Sequence, residues 1–175
     1  MRGVGLIVVL TAVVLAAGVA FVFAEFPSKS DISEIDFTRS GCFGHCPAYE
    51  VTFRSNGCAV YSGHSDTLLI GRYTGVVVFQ RLAHLMESHH FQTLQDQYAM
   101  NVVDAPGMTL RIVTPSKTKT VETRNAGGVP IEFEELGNII DGFIFTTHWV
   151  SDDPKKQPQT GDHWPLPWEV VPGCK

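Results

Sequence analysis

The sequence has no excess of positive charge. Its 175 residues contain 13 Lys and Arg against 18 Asp and Glu, which gives a formal net charge of −5. Proteins that bind nucleic acid by phosphate attraction carry basic surfaces, and adhesion to anionic lipid also needs basic clusters. The charge balance therefore predicts no nucleic-acid partner, and it leaves only the N-terminal segment as a means of membrane association.

The sequence also lacks the motifs of nucleotide-binding enzymes and of nucleophilic hydrolases. No glycine-rich phosphate loop follows a strand-like segment. Residues 62–66 collect serine, histidine and aspartate, but five consecutive residues cannot converge as a catalytic triad. The carboxylates of residues 132–135 and Asp141 are predicted to lie on the solvated surface of a helix. We therefore predict no catalytic residues and no cofactor, and the sequence favours a protein that is not an enzyme.

Charge is absent from the segment between Gly3 and Ala24, which is flanked by the single base Arg2. A run of about 20 apolar residues can span a bilayer, whereas Val22 and Ala24 fit a signal-peptidase cleavage site. Residues 1–24 are thus predicted to be a signal peptide or an N-terminal membrane anchor, and both alternatives stay open. In either case the rest of the chain is exported, and it is periplasmic or anchored in the inner membrane facing the periplasm.

Cysteine is scarce, with four in the chain. Since exported proteins mature in an oxidising environment, these residues are read first as disulfides. Cys42 and Cys46 lie four positions apart across Gly44, which can adopt the positive φ of a tight loop. They are predicted to form a structural disulfide. Cys58 and Cys174 are a candidate second pair or two separate thiols, because four cysteines permit three pairings.

A metal-handling or thiol-redox role for the same loop is the alternative. Cys42, His45 and Cys46 place three ligands of suitable type within five residues, but a tetrahedral site needs a fourth. His84 and His89 are predicted on the polar face of a helix and His90 as a half-buried ring. We therefore assign no metal-binding residue from the sequence.

Alternating and helical patterns predict an α+β fold. Apolar residues alternate in six segments, which are predicted to be strands: 32–38, 48–54, 58–63, 67–73, 108–114 and 117–124. Asn56-Gly57 predicts a hairpin between the second and third segments. Helices are predicted over 75–90 and 130–146. We expect an antiparallel sheet of about five or six strands with two helices packed on one face.

These elements form a single α+β domain over residues 30–150, followed by a tail, 151–175, that contains proline and tryptophan. The helices are predicted to bury one apolar stripe each against the sheet. The two stripes consist of Val76, Phe79, Ala83 and Met86 in the first helix and of Phe133, Leu136, Ile140 and Phe143 in the second.

The loop Arg39-Ser-Gly-Cys-Phe-Gly-His-Cys-Pro-Ala-Tyr49 is the most distinctive segment. Together with the Asn56-Gly57 turn and the Tyr61-Ser62-Gly63 triplet, it resembles a bacterial exported family of unknown function. That family has a Cys-x-Gly-x-Cys-Pro-x-Tyr motif over most of residues 30–150. The resemblance implies a shared fold and export but no chemistry, and its motif residues here are Arg39, Gly44, Pro47 and Tyr49. Cys58 and Cys174 depart from the pattern.

Arg39 has two readings, either a ligand-binding residue or a structural tie. Its five donors suit a tight loop that leaves carbonyl groups without partners, and we expect it to bind carbonyls of residues 40–47 or an acid such as Asp96 or Asp104. Tyr98 is expected to fill the core. The sequence as a whole favours a non-catalytic binding or interaction module of the cell envelope, whose partner is an unidentified envelope protein or a small ligand.

Overall fold

The computed structural model describes residues 29–67, 69–99, 105–124, 129–153, 155 and 174. The predicted signal peptide or anchor, residues 1–24, and most of the predicted tail lie outside these residues. Within the described part of the chain, neither helix is long and apolar enough to cross a membrane.

The described residues form one mixed sheet and two α-helices. The eight strands are β1 Glu34–Ser40, β2 Ala48–Arg54, β3 Cys58–Ser65, β4 Gly71–Val76, β5 Gln97–Ala99, β6 Gly107–Val113, β7 Thr118–Arg124 and β8 Trp149–Ser151. The helices are α1 Phe79–Ser88 and α2 Ile131–Thr146, and a short 3₁₀ helix spans Phe91–Thr93. The predicted mixture of helices and strands is therefore confirmed.

The strands lie in the order β5-β7-β6-β1-β2-β3-β4-β8. Neighbours are antiparallel except β5 and β7, which are parallel. The prediction of five or six strands is too low, because β5 and β8 each have only three residues. Strands that short show no alternation in the sequence, and only their pairing with β7 and β4 defines them.

The predicted hairpin joins β2 and β3. Gly57 has a φ of 85°, a region that favours glycine. Its N–H donates to the carbonyl of Arg54 at 2.8 Å, and the Asn56 side chain accepts from the N–H of Cys58 at 3.0 Å. The turn chemistry thus sets the register in which Phe53 faces Ala59.

The core lies between the helices and one face of the sheet. Phe37 is opposite Val51 on one side and Leu110 on the other, so each strand adds one side chain to the same apolar row. The alternating positions are polar, and Arg111 there reaches Glu34 at 2.7 Å and Asp36 at 2.5 Å. Both helices contribute buried residues to this core: Phe79, Leu82, Ala83, Met86, Phe133, Leu136 and Ile140.

Several predicted positions are wrong in detail. Val76 pairs with Cys58 at the end of β4 and is exposed, because the ladder continues past the point where the helical pattern begins. Helix α1 accordingly starts at Phe79. Phe143, by contrast, is partly buried and packs against the core as expected. His90 is exposed instead of half-buried, since it adopts a φ of 52° just after α1.

Two phenylalanines of α2 provide a test of the core. Phe133 is fully buried, whereas Phe145 is 79% exposed. Phe133→Ala is expected to lower the free energy of unfolding by about 3 to 5 kcal/mol, because it leaves a cavity. Phe145→Ala is expected to change it by less than about 0.5 kcal/mol. Urea denaturation of both variants measures the difference, and equal effects would contradict the assigned orientation of α2.

Candidate functional site

The site is built around the end of β1, where Arg39 and Tyr49 are cross-strand partners. Arg39 follows Ile35 and Phe37 in the alternation of β1 and therefore stands on the core face. Tyr49 is buried and lies beside it, since directly opposed residues share a face. The antiparallel pairing thus places a guanidinium and a phenol next to each other at the edge of the core.

Asp141 of α2 joins Arg39 and Tyr49 and so connects the helix to two strands. We call these three residues the tie. Arg39 Nη2 lies 2.5 Å from Asp141 Oδ2, and Arg39 Nε donates to Asp141 Oδ1 at 3.3 Å. Arg39 Nε also lies 3.1 Å from the Tyr49 hydroxyl oxygen, and that hydroxyl donates to Asp141 Oδ1 in a short hydrogen bond. The carboxylate is therefore held by both strands.

Gly137 lies one helical turn before Asp141 and faces the tie. A Cβ atom at this position would lie 2.9 Å from Met108 Sδ and 3.2 Å from Arg39 Nη2. Glycine costs about 1 kcal/mol in a helix interior relative to alanine. The space it leaves is what lets the Arg39 guanidinium lie against α2.

The tie changes the proton affinities of its members. Burial lowers the pKa of Arg39, but the hydrogen bond and attraction to Asp141 outweigh burial and raise it overall. Burial raises the pKa of Tyr49 well above its usual value, and Asp141 raises it further, while Arg39 partly opposes the shift. Tyr49 is thus a neutral phenol that donates to Asp141, and not a phenolate nucleophile.

The cysteine loop lies beside the tie. Cys42 and Cys46 are paired in a disulfide with Cα atoms 5.5 Å apart. Gly44, at the bend, has a φ of 153°. His45 Nδ1 lies 3.2 Å from Asp66 Oδ1, so the loop contacts the residues that follow β3. This contact places the disulfide loop beside the connection between β3 and β4.

A groove with a volume of about 510 Å³ runs between the cysteine loop, the β3–β4 connection and the end of α2. Such a volume is within the range of small-molecule sites. Most of its lining is apolar or aromatic, and the tie forms one end. The lining residues are Arg39, Pro47, Tyr49, Tyr61, Asp66, Thr67, Leu69, Asp141, Ile144, Phe145, Thr147, His148 and Trp149.

An aromatic floor underlies the groove. The Tyr61 ring lies 5.4 Å from that of Tyr49 and 5.4 Å from that of Trp149, measured between centroids. The Tyr61 hydroxyl forms a short hydrogen bond with Thr67 Oγ1, and Trp149 Nε1 donates to the carbonyl of Ile144 at 2.8 Å. Burial raises the pKa of Tyr61, although its Thr67 hydrogen bond partly opposes this. These rings are held in place, and Trp149 is partly exposed above the buried Tyr49 and Tyr61.

The sequence singled out part of this site. Arg39, Pro47 and Tyr49 line the groove, whereas Gly44 and the Cys42–Cys46 disulfide lie in the adjoining loop. Cys58 and Cys174 are paired elsewhere, at the start of β3, also with Cα atoms 5.5 Å apart.

Arg39 binds an acid, as the structural interpretation expected, but that acid is Asp141 and not Asp96. Asp96 binds Lys119 at 2.9 Å, and Asp104 lies outside the described residues. Asp141 was assigned to a solvated helix surface, yet it follows Gly137 and is one position after the buried Ile140. A carboxylate adjacent to the apolar stripe, one turn after a helical glycine, is the signal in the sequence that indicates this contact.

His84 and His89, which the sequence places on the polar face of the first helix, each lie close to a carboxylate. His84 lies 3.2 Å from Glu87 on the same helix, and His89 lies 3.5 Å from Glu135 of α2. Across the described residues, no group of three or more His, Cys, Asp or Glu side chains is arranged to hold a metal ion.

Fold and site together define an α+β domain with an aromatic groove at one end of its sheet. The model of a family described as Domain of unknown function (DUF6438) matches residues 33–144, and the chain belongs to this family. The matched span contains Arg39, Tyr49 and Asp141 and ends before Trp149. Comparison with curated proteins finds no match.

The tie predicts a specific loss of stability at alkaline pH. Because the pKa of Tyr49 in the folded protein is raised above its unfolded value of about 10, stability is retained below pH ~10 and falls as the pH rises further. One proton corresponds to about 1.4 kcal/mol per pH unit. Phenylalanine has no proton to lose at this position. Above pH ~10 the free energy of unfolding of Tyr49→Phe is therefore expected to decrease with pH less steeply than that of the unmodified protein, by about 1.4 kcal/mol per pH unit. Parallel slopes in the two proteins would contradict the assignment.

The two disulfides are expected to differ in their contributions to stability. The separations are 4 residues for Cys42–Cys46 and 116 for Cys58–Cys174. The chain-entropy relation gives about 2 kcal/mol for the short loop and about 5 kcal/mol for the long one. Thermal and urea denaturation of the two double-serine variants measures this order.

Thiol titration of the unreduced protein is expected to find none of the four cysteines free, and two reactive thiols at positions 42 and 46 would contradict the pairing.

Proposed function

We propose that the chain is a non-catalytic, exported binding domain of the cell envelope, and that its ligand occupies the groove. The observation that carries this proposal is the groove with its aromatic floor, which ends in the partly buried tie of Arg39, Asp141 and Tyr49. Sites for small molecules are typically concave and mainly apolar, with a few fixed polar groups. The groove has this combination.

The chemistry of the tie favours binding over catalysis. Asp141 already accepts from Arg39 and Tyr49, and the raised pKa of Tyr49 keeps its hydroxyl protonated. A general base or nucleophile needs a pKa suited to the working pH. Asp141 is instead engaged by two donors and Tyr49 stays protonated, which suits recognition.

Export rests on the apolar segment of residues 1–24 and is supported by the cysteine pairing. Both pairs have the Cα separation of ordinary disulfides, and stable disulfides belong to oxidising compartments. The metal-handling or thiol-redox alternative would need the sulfurs of Cys42 and Cys46 as thiolates. In the disulfide both sulfurs are engaged.

A fragment screen by ligand-observed NMR tests the proposal. Phe145 is exposed and lines the groove, so Phe145→Ala removes apolar contact area with little expected effect on folding. Groove ligands are expected to bind this variant about fivefold more weakly, which corresponds to roughly 1 kcal/mol of lost burial.

Ile131→Ala is the matched control. Ile131 is on the same helix and 61% exposed, but it lies at the other end, away from the groove. Its substitution is expected to leave binding unchanged. A screen that finds no binding fragment, or finds only fragments whose affinity is the same for Phe145→Ala, would contradict a binding role for the groove.

A further inference from the structure

Resting on the proposed function, we infer that the groove binds a small organic cation, such as a primary amine on an aromatic or branched apolar body. Two features of the groove lining favour this class of ligand. One is the aromatic floor, and the other is the charge of the side chains around it.

The charge of the groove is negative. Its lining contains one permanent cation, Arg39, and two carboxylates, Asp66 and Asp141. The Arg39 guanidinium is already paired with Asp141, and the Arg39 side chain is only 21% exposed. The carboxylate side chains are more open, at 37% for Asp66 and 40% for Asp141. A ligand in the groove therefore meets an excess of negative charge.

The aromatic floor favours the same ligand. A cation within about 6 Å of an aromatic face is attracted to the ring quadrupole, most strongly by tryptophan and tyrosine. Trp149 packs on Tyr61 with ring centroids 5.4 Å apart, and because Tyr61 is buried, Trp149 is the ring of this pair that a ligand can contact. Trp149 is partly exposed and lines the groove together with both carboxylates, so an ammonium group there is attracted by the ring and by the carboxylates.

An anionic ligand fits the groove poorly. Although Arg39 is a common anion-binding residue type, an incoming carboxylate would have to displace Asp141, which is bound through two guanidinium nitrogens. Removing one partner from such a contact leaves a desolvated charge without compensation. Two histidines lie near the carboxylates: His45 is 3.2 Å from Asp66, and His148 lines the groove. In their neutral form they leave the excess of negative charge unchanged.

The class of partner follows from size. A groove of about 510 Å³ can enclose a drug-sized molecule. An apolar body can contact Leu69, Ile144 and Phe145 on the side walls, while its ammonium group approaches the floor and the carboxylates. The ligand is therefore a small molecule with separate cationic and apolar parts.

Three probes of one shape but different charge test this inference: 2-phenylethylamine, 2-phenylethanol and 3-phenylpropanoate. NMR titration of the full chain at neutral pH and low salt measures the dissociation constant of each. The amine is expected to bind about tenfold more tightly than the alcohol, with a preference that weakens as salt screens the partly exposed carboxylates. The carboxylate probe is expected to bind most weakly.

Asp66→Asn is the diagnostic variant. Asp66 has a φ of 50°, a conformation that asparagine also tolerates, so the backbone is preserved. The substitution is expected to reduce the preference for the amine several-fold and to leave the affinity for the alcohol unchanged. Asp152→Asn is the matched control, because Asp152 has a similar exposure of 43% but binds Arg72 away from the groove.

The outcomes separate this inference from the proposed function. Equal binding of amine and alcohol, both weakened by Phe145→Ala, would overturn the cation preference and keep the groove as a binding site. Tighter binding of 3-phenylpropanoate, or no binding of the amine while other fragments bind, would likewise overturn it. An amine preference that survives Asp66→Asn and is lost in Asp152→Asn would place the cation elsewhere and overturn the assignment.

Discussion

The contact of Arg39 with Asp141 and Tyr49 is the constraint on which the groove end of the molecule depends. It is the point at which two central strands and helix α2 are joined by charge as well as by apolar packing. Burying such groups is costly, and the cost is offset only when each finds good partners. Here the carboxylate accepts from the guanidinium and the phenol, so the end of α2 is held at a defined distance from β1.

The groove is a consequence of that position. Because α2 leads into β8, it places Ile144 and Phe145 in the groove that Pro47 also lines, and it returns the chain to the sheet at Trp149. Gly75 makes the return possible, since a Cβ atom there would lie 2.7 Å from Thr147 Cγ2 and 3.1 Å from Trp149 Cε3. The aromatic floor is thus assembled from residues far apart in sequence, and the Cys42–Cys46 loop closes its other side.

Prediction from the sequence succeeded where local chemistry decides the outcome. The Asn56-Gly57 hairpin has the backbone that glycine permits, and the longer strands lie close to the alternating segments, although the fourth begins at Gly71 instead of residue 67. It failed where a tertiary neighbour decides. Val76 carries the helical pattern but continues β4, and Asp141 looks like a surface acid but is half-covered by Arg39.

The sequence by itself determined the class of fold, the net negative charge and the position of Arg39, Pro47 and Tyr49 in one short segment. Composition and period are properties of the chain alone, so they can be read without knowing its neighbours. Only the tertiary structure decided which acid pairs with Arg39, which short strands complete the sheet and which rings line the groove. These depend on contacts between residues about 100 positions apart, as Arg39 and Asp141 are, and no local pattern encodes the position at which the packed helix ends.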